Sequence, residues 1–165
     1  MNGYQIRLAR PEEYGTIGEL TVGAYLADGP VSEGYVDELK DAASRALVGE
    51  LLVAEDLGTG ELLGTASLFT WRAAPRWSEG ATDGEAVLRM LAVAPLARRR
   101  GVGRALTLEC IRRASELGCD RLNLLSATTM QAAHALYRQL GFTRNPDADR
   151  SPIPGVHLLA FYLLL

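Results

Sequence analysis

Apolar and polar side chains alternate from the start of the chain: Tyr4, Ile6 and Leu8 interleave with Gln5 and Arg7, which predicts a strand. Pro11, Glu12 and Glu13 predict a helix start, because proline fits a first turn and acids suit the positive end of the helix dipole. Tyr14, Ile17, Leu20 and Ala24 follow at helical spacing, and Gly29-Pro30 breaks the pattern. A second helix is predicted from Ser32 as cap through Val36, Leu39, Ala43 and Leu47. Leu51–Glu55 and Leu62–Phe69 read as strands, and the turn-rich residues 56–61 between them predict a hairpin. The polar stretch Trp71–Gly84 is a loop longer than most connections. Glu85–Val93 is the central strand, and a helix then runs from about Gly101 to Leu117. A strand at Arg121–Ser126, a helix at Met130–Leu140 stopped by Gly141, and an apolar last strand at Val156–Leu165 complete the order.

The strand–helix–strand unit around Gly101 requires parallel pairing, whereas the hairpin requires antiparallel pairing. The expected fold class is therefore α/β, a mixed central β-sheet with helices on both faces. A length of 165 residues suits a single domain over the whole chain. The net charge of −3 argues against general nucleic-acid binding, which depends on cations meeting backbone phosphates. Cys110 and Cys119 are the only cysteines and form no paired motif, so two reduced thiols in a cytoplasmic protein are expected. No export signal is apparent and no apolar run is long enough for a bilayer, so no membrane partner is expected.

The densest chemistry lies in Arg98-Arg99-Arg100-Gly101-Val102-Gly103-Arg104. Its two glycines let the backbone turn tightly, and the helix that starts there offers free N–H groups and a positive dipole end. This predicts an anion site, and the expected anion is a phosphate or pyrophosphate. The P-loop reading fails because the lysine and Ser/Thr it requires are absent. The dinucleotide reading is poor because Leu106 stands at the third small position and Asp120 precedes the next strand rather than ending it.

Arg98-x-x-Gly101-x-Gly103 after Leu91-Ala92-Val93 resembles the acyl-CoA-binding motif of the GCN5-related N-acetyltransferases (GNAT family). Downstream, Ala133-His134-Ala135-Leu136-Tyr137-Arg138-Gln139-Leu140-Gly141-Phe142 is similar to that family's A-x-x-L-Y-x-x-L-G-F segment. One position departs: Met130 stands where the family often has an asparagine that helps hold the cofactor, and Thr128, Thr129 or Gln131 are the nearby alternatives. The resemblance implies a GNAT-like fold and transfer of an acetyl group from acetyl-CoA to a primary amine on a small molecule, a peptide or a protein N-terminus. The alternative is a catalytically silent acyl-CoA-binding sensor or partner module.

Under this resemblance Leu91, Ala92 and Val93 pair with the pantetheine arm, and an N–H near Leu91 or Ala92 polarises the thioester carbonyl. Arg98, Arg99, Arg100, Gly101, Val102, Gly103 and Arg104 hold the pyrophosphate, and Ala133 and Tyr137 also face the cofactor. Tyr137 is the expected acid for the leaving thiolate, and Glu85 the candidate base for the amine. His134 and His157 lack ligand companions, so no metal site is expected, and His134 is placed on the exposed side of its helix. Trp71 and Trp77 either cover the core or wall an acceptor pocket, to which Ala27–Gly34, Tyr25 and Tyr35 could also contribute. The apolar last strand offers a surface for a possible homodimer.

Overall fold

Seven strands form one sheet in the order β1-β2-β3-β4-β5-β7-β6, described over residues 3–165 of a computed structural model. Strands β1 (Tyr4–Leu8), β2 (Glu50–Asp56), β3 (Leu62–Thr70) and β4 (Glu85–Val93) pair antiparallel in succession. Strand β5 (Arg121–Ala127) lies parallel to β4, and β7 (Leu158–Leu164) and the two-residue β6 (Thr143–Arg144) return antiparallel. The sheet is mixed, as the order of predicted elements requires.

Helices α1 (Tyr14–Ala27), α2 (Glu33–Lys40) and α3 (Ala42–Val48) belong to one layer, and α5 (Val102–Glu116) and α6 (Gln131–Gln139) to the other. Leu106, Cys110 and Ala114 of α5 pack with Ala86, Leu88 and Leu122 of the sheet. Across the sheet, Val22 of α1 and Leu39 of α2 pack with Phe69, Met90 and Trp77. Leu63–Phe69 of β3 is buried without interruption because both faces are covered, whereas β5 alternates.

The helix expected over residues 32–47 divides at Asp41, which leaves helical geometry (φ −83°, ψ 62°) and accepts a bond from the Ser44 N–H at 3.1 Å as the cap of α3. The long loop carries a short helix, α4 (Pro75–Ser78), and β6 was too short to show a period. The last strand is not a free edge. It pairs along its length with β5 and at Phe161 and Tyr162 with β6, with a further bridge from Leu158 to Arg150. Its apolar character reflects a position between β5 and β6 in the sheet.

Arg45 of α3 fastens the α1–α2–α3 layer to the sheet. It is fully buried, donates to Ser67 Oγ at 3.1 Å, and caps the end of α2 through the Glu38 and Leu39 carbonyls at 2.8 and 3.2 Å. Replacing it strips those carbonyls of their donor and leaves a cavity. Arg45→Ala should lower stability by about 3 kcal/mol in equilibrium urea unfolding; a loss below about 1 kcal/mol would show that the clasp contributes little.

Candidate active site

Strands β4 and β5 part company halfway along. They pair in parallel only from Glu85 with Arg121 to Leu88 with Leu124. Beyond that point β4 stays with β3, and β5 stays with β7. A bulge accompanies the parting: Ser67 faces Arg89 and Thr65 faces Ala92, so β4 carries one residue more than β3 between these pairs. Met90 inside the bulge adopts φ +52°, a left-handed conformation uncommon for a non-glycine residue. A cleft of about 650 Å³ opens in the gap.

Leu91, Ala92 and Val93 form one wall of this cleft and Leu124, Leu125 and Ser126 the other. The Ala94 N–H bonds the Leu63 carbonyl of β3 at 2.8 Å. Alternation along the strand then turns the Ala92 N–H toward β3 and the Leu91 and Val93 N–H groups toward the cleft. Of the two amides expected to meet a thioester carbonyl, Leu91 has the required direction.

One end of the cleft is closed by the loop before α5. Arg99 and Gly101 both take left-handed conformations (φ +68° and +80°), in a turn of the kind that gathers successive N–H groups into a concavity. The Ala105 N–H reaches the Gly101 carbonyl at 3.0 Å, so the N–H groups of Gly101 to Arg104 stand at the helix end without intrahelical partners. The Tyr4 hydroxyl donates to the Arg100 carbonyl at 3.3 Å and holds the loop against β1.

The three consecutive arginines have different roles. Arg98 pairs with Asp28 at 3.0 Å, which ties the loop to the end of α1. Arg100 pairs with Asp56 at 3.2 Å and is not part of the cleft lining. Arg99 and Arg104 line the cleft and have no carboxylate partner among the described residues, so theirs is the positive charge available to an anion.

At the other end stand Ala133 and Tyr137 of α6. The Tyr137 ring packs between Phe142 and Phe161 at 5.6 and 5.7 Å. Burial raises its phenol above the ordinary tyrosine range, so it stays protonated at neutral pH. Tyr25 of α1 also lines the cleft, and its ring meets Tyr35 edge-on at 6.0 Å. Met130 borders the cleft at the start of α6.

Glu85 is not in the cleft. It sits at the paired end of β4, about 20 Å of strand away from Leu91, and accepts bonds from the Thr82 N–H at 3.0 Å and Asn123 Nδ2 at 2.9 Å. Being first in the central strand placed it at the wrong end, because the gap opens only past Leu88. His134 is likewise corrected: it is buried, 5% exposed, on the inner face of α6 one turn from Tyr137. A neutral imidazole with a hydrogen-bond partner tolerates such a position. Trp77 stacks on Phe69 at 5.5 Å and Trp71 packs against the core. Neither lines the cleft: Trp77 is buried, and Trp71 borders a separate surface pocket with Ala73, Pro75 and Arg76. Ser126 was not singled out from sequence; its place at the end of β5 carried no signal until β4 was seen to leave.

A family model of the GNAT acetyltransferases matches residues 15–142. The mycothiol acetyltransferase of Pseudarthrobacter chlorophenolicus is 38% identical over 94 residues, which make up 56% of this chain and 27% of that protein. The chain thus spans about a quarter of that relative's length. Among solved structures, a GNAT acetyltransferase of Staphylococcus aureus Mu50 superposes with a TM-score of 0.76 at 15% identity, covering 98% of this chain and 99% of the other. The yncA protein of Salmonella typhimurium, solved with acetyl-CoA, superposes at 0.71 with 22% identity over 99% and 94% of the two chains.

The cleft suits an acyl-CoA on steric grounds. A Cβ on Gly103 would meet Val93 Cγ2 at 3.5 Å and Leu136 Cδ2 at 3.7 Å, so a side chain there would occupy the space between β4 and α6. The fold tolerates that atom; a threaded ligand would not. Gly103→Val should leave stability within about 0.5 kcal/mol of wild type, since valine is no worse than glycine in a helix. It should weaken CoA binding about tenfold or more by overpacking the cleft. Thermal melts and calorimetric titration check both halves, and unchanged affinity would remove the cleft as the CoA route.

Proposed function

The chain belongs to the GNAT family of acetyltransferases, and from that premise we propose that it moves the acetyl group of acetyl-CoA directly onto a primary amine in a ternary complex. The acceptor is an amine of a small molecule, a peptide or a protein N-terminus. The observation that carries this reading is the parting of β4 from β5, which sets an anion-binding helix end and a buried phenol at opposite ends of one cleft.

When bound, acetyl-CoA supplies an activated thioester. The residues around it do the rest. Free N–H groups from Gly101 to Arg104, with Arg99 and Arg104 beside them, hold the pyrophosphate. The Leu91 N–H points at the thioester oxygen, where a donor aimed at developing charge lowers a barrier by roughly 3–4 kcal/mol. Tyr137 gives its proton to the departing thiolate, a role suited to a phenol that burial keeps protonated. Glu85 is too distant to accept the amine proton directly, so that proton leaves through water. Tyr25 and Tyr35, beside Met90, wall the side from which the acceptor enters.

Tyr137→Phe should reduce kcat about 100-fold while leaving the KM for acetyl-CoA within twofold, measured by thiol release over an amine panel. Because the Tyr137 pKa is raised, deprotonation of this group should not reduce kcat below about pH 10. Unchanged turnover in the variant would exclude the acid role. Tight CoA binding with no turnover on any amine would favour a silent binding module.

A further inference from the structure

We propose that the Ser126 hydroxyl accepts a hydrogen bond from an amide N–H of the acyl donor's pantetheine arm, and that His134 is the positioning residue that orients it. This rests on the acyl-CoA reading above and assigns it a contact in a place where Met130 can supply none.

Leu122, Leu124 and Ser126 project from the same face of β5, toward α5 and α6. The first two are buried in the apolar core. Ser126 comes after β4 has diverged, so it lines the cleft, although only 5% of its surface is exposed. A polar group so deep needs a partner. Its partner is His134 Nε2 at 3.1 Å, from the inner face of α6. His134 is itself only 5% exposed, and its ring lies 5.4 Å from that of Phe161.

Burial lowers the His134 pKa, with Arg138 and Arg144 adding to the effect, so the ring is neutral near pH 7. A neutral imidazole has one donor nitrogen and one acceptor. Both tautomers allow the Nε2–Ser126 contact: a bare Nε2 accepts from the hydroxyl, and a protonated Nε2 donates to it. A hydroxyl has one O–H and two lone pairs, so in both cases at least one Ser126 lone pair remains for the cleft. The other neighbour of the hydroxyl is Met130 Sδ at 4.0 Å, a weak partner.

The position fits the ligand chemistry. His134 and Tyr137 are three residues apart on α6, about 4.5 Å along the axis. A hydroxyl held by His134 thus lies on the phosphate side of the phenol that faces the sulfur, where the pantetheine arm carries amides. An unused lone pair there matches an amide N–H of the arm.

Two ligands separate this contact from the phosphate site: CoA, and adenosine 3′,5′-bisphosphate, which lacks the arm. In calorimetric titrations, Ser126→Ala and His134→Phe should each weaken CoA about fivefold to tenfold and leave bisphosphate affinity unchanged. CoA affinity unchanged in Ser126→Ala, or both ligands weakened alike, would overturn the proposal. Failure of wild type to bind CoA at all would instead defeat the acyl-donor reading itself.

Discussion

One extra residue in β4 governs much of this molecule. Opposite β3 the strand must fit in an additional backbone unit, and Met90 takes a left-handed conformation to do so. Near that point β4 ceases to pair with β5. A continuous parallel ladder would satisfy the backbone groups of Leu91 and Val93 and leave nowhere for a ligand. The parted sheet instead presents a strand edge inside the fold, covered by helices and protected from the association that an exposed edge invites. The left-handed residue is a local cost of roughly 1–2 kcal/mol, and the packing of Met90 with Phe69, Trp77, Val22 and Leu39 holds it in place.

Charge is arranged around this gap by removal as much as by placement. Three arginines in a row would by themselves make an indiscriminate basic loop. Asp28 and Asp56, from the ends of α1 and β2, each take one of them. These exposed pairs contribute little to stability, but they anchor the loop at two points and fix its backbone. What remains for an anion is a row of oriented N–H groups with Arg99 and Arg104 beside it. At the far end of the cleft the surroundings are apolar, and burial shifts Tyr137 and His134 toward their neutral forms. One groove thus joins a cationic end to an end that favours uncharged groups. A ligand with an anionic head and a neutral, amide-bearing tail matches that gradient.

What the sequence by itself determined is local. The central strand runs over Glu85–Val93 as the pattern predicts, because an apolar run before Pro95 has few other conformations open to it. Gly101 adopts the left-handed turn that its lack of Cβ allows. Tyr137 lies on the buried face of α6, as helical spacing from Met130 and Ala133 requires. Only the tertiary structure decided the relations between elements. Glu85 and Leu91 belong to one strand, yet β5 pairs with one and abandons the other. Arg98 and Arg100 looked alike until Asp28 and Asp56 arrived from residues 70 and 44 positions away. His134 read as exposed because a histidine on a helix usually is; a hydroxyl from β5 made its burial tolerable. Short-range periodicity encodes which face of an element is apolar, but hydrogen-bond partners and the place where a sheet opens depend on groups that meet only after the chain has folded.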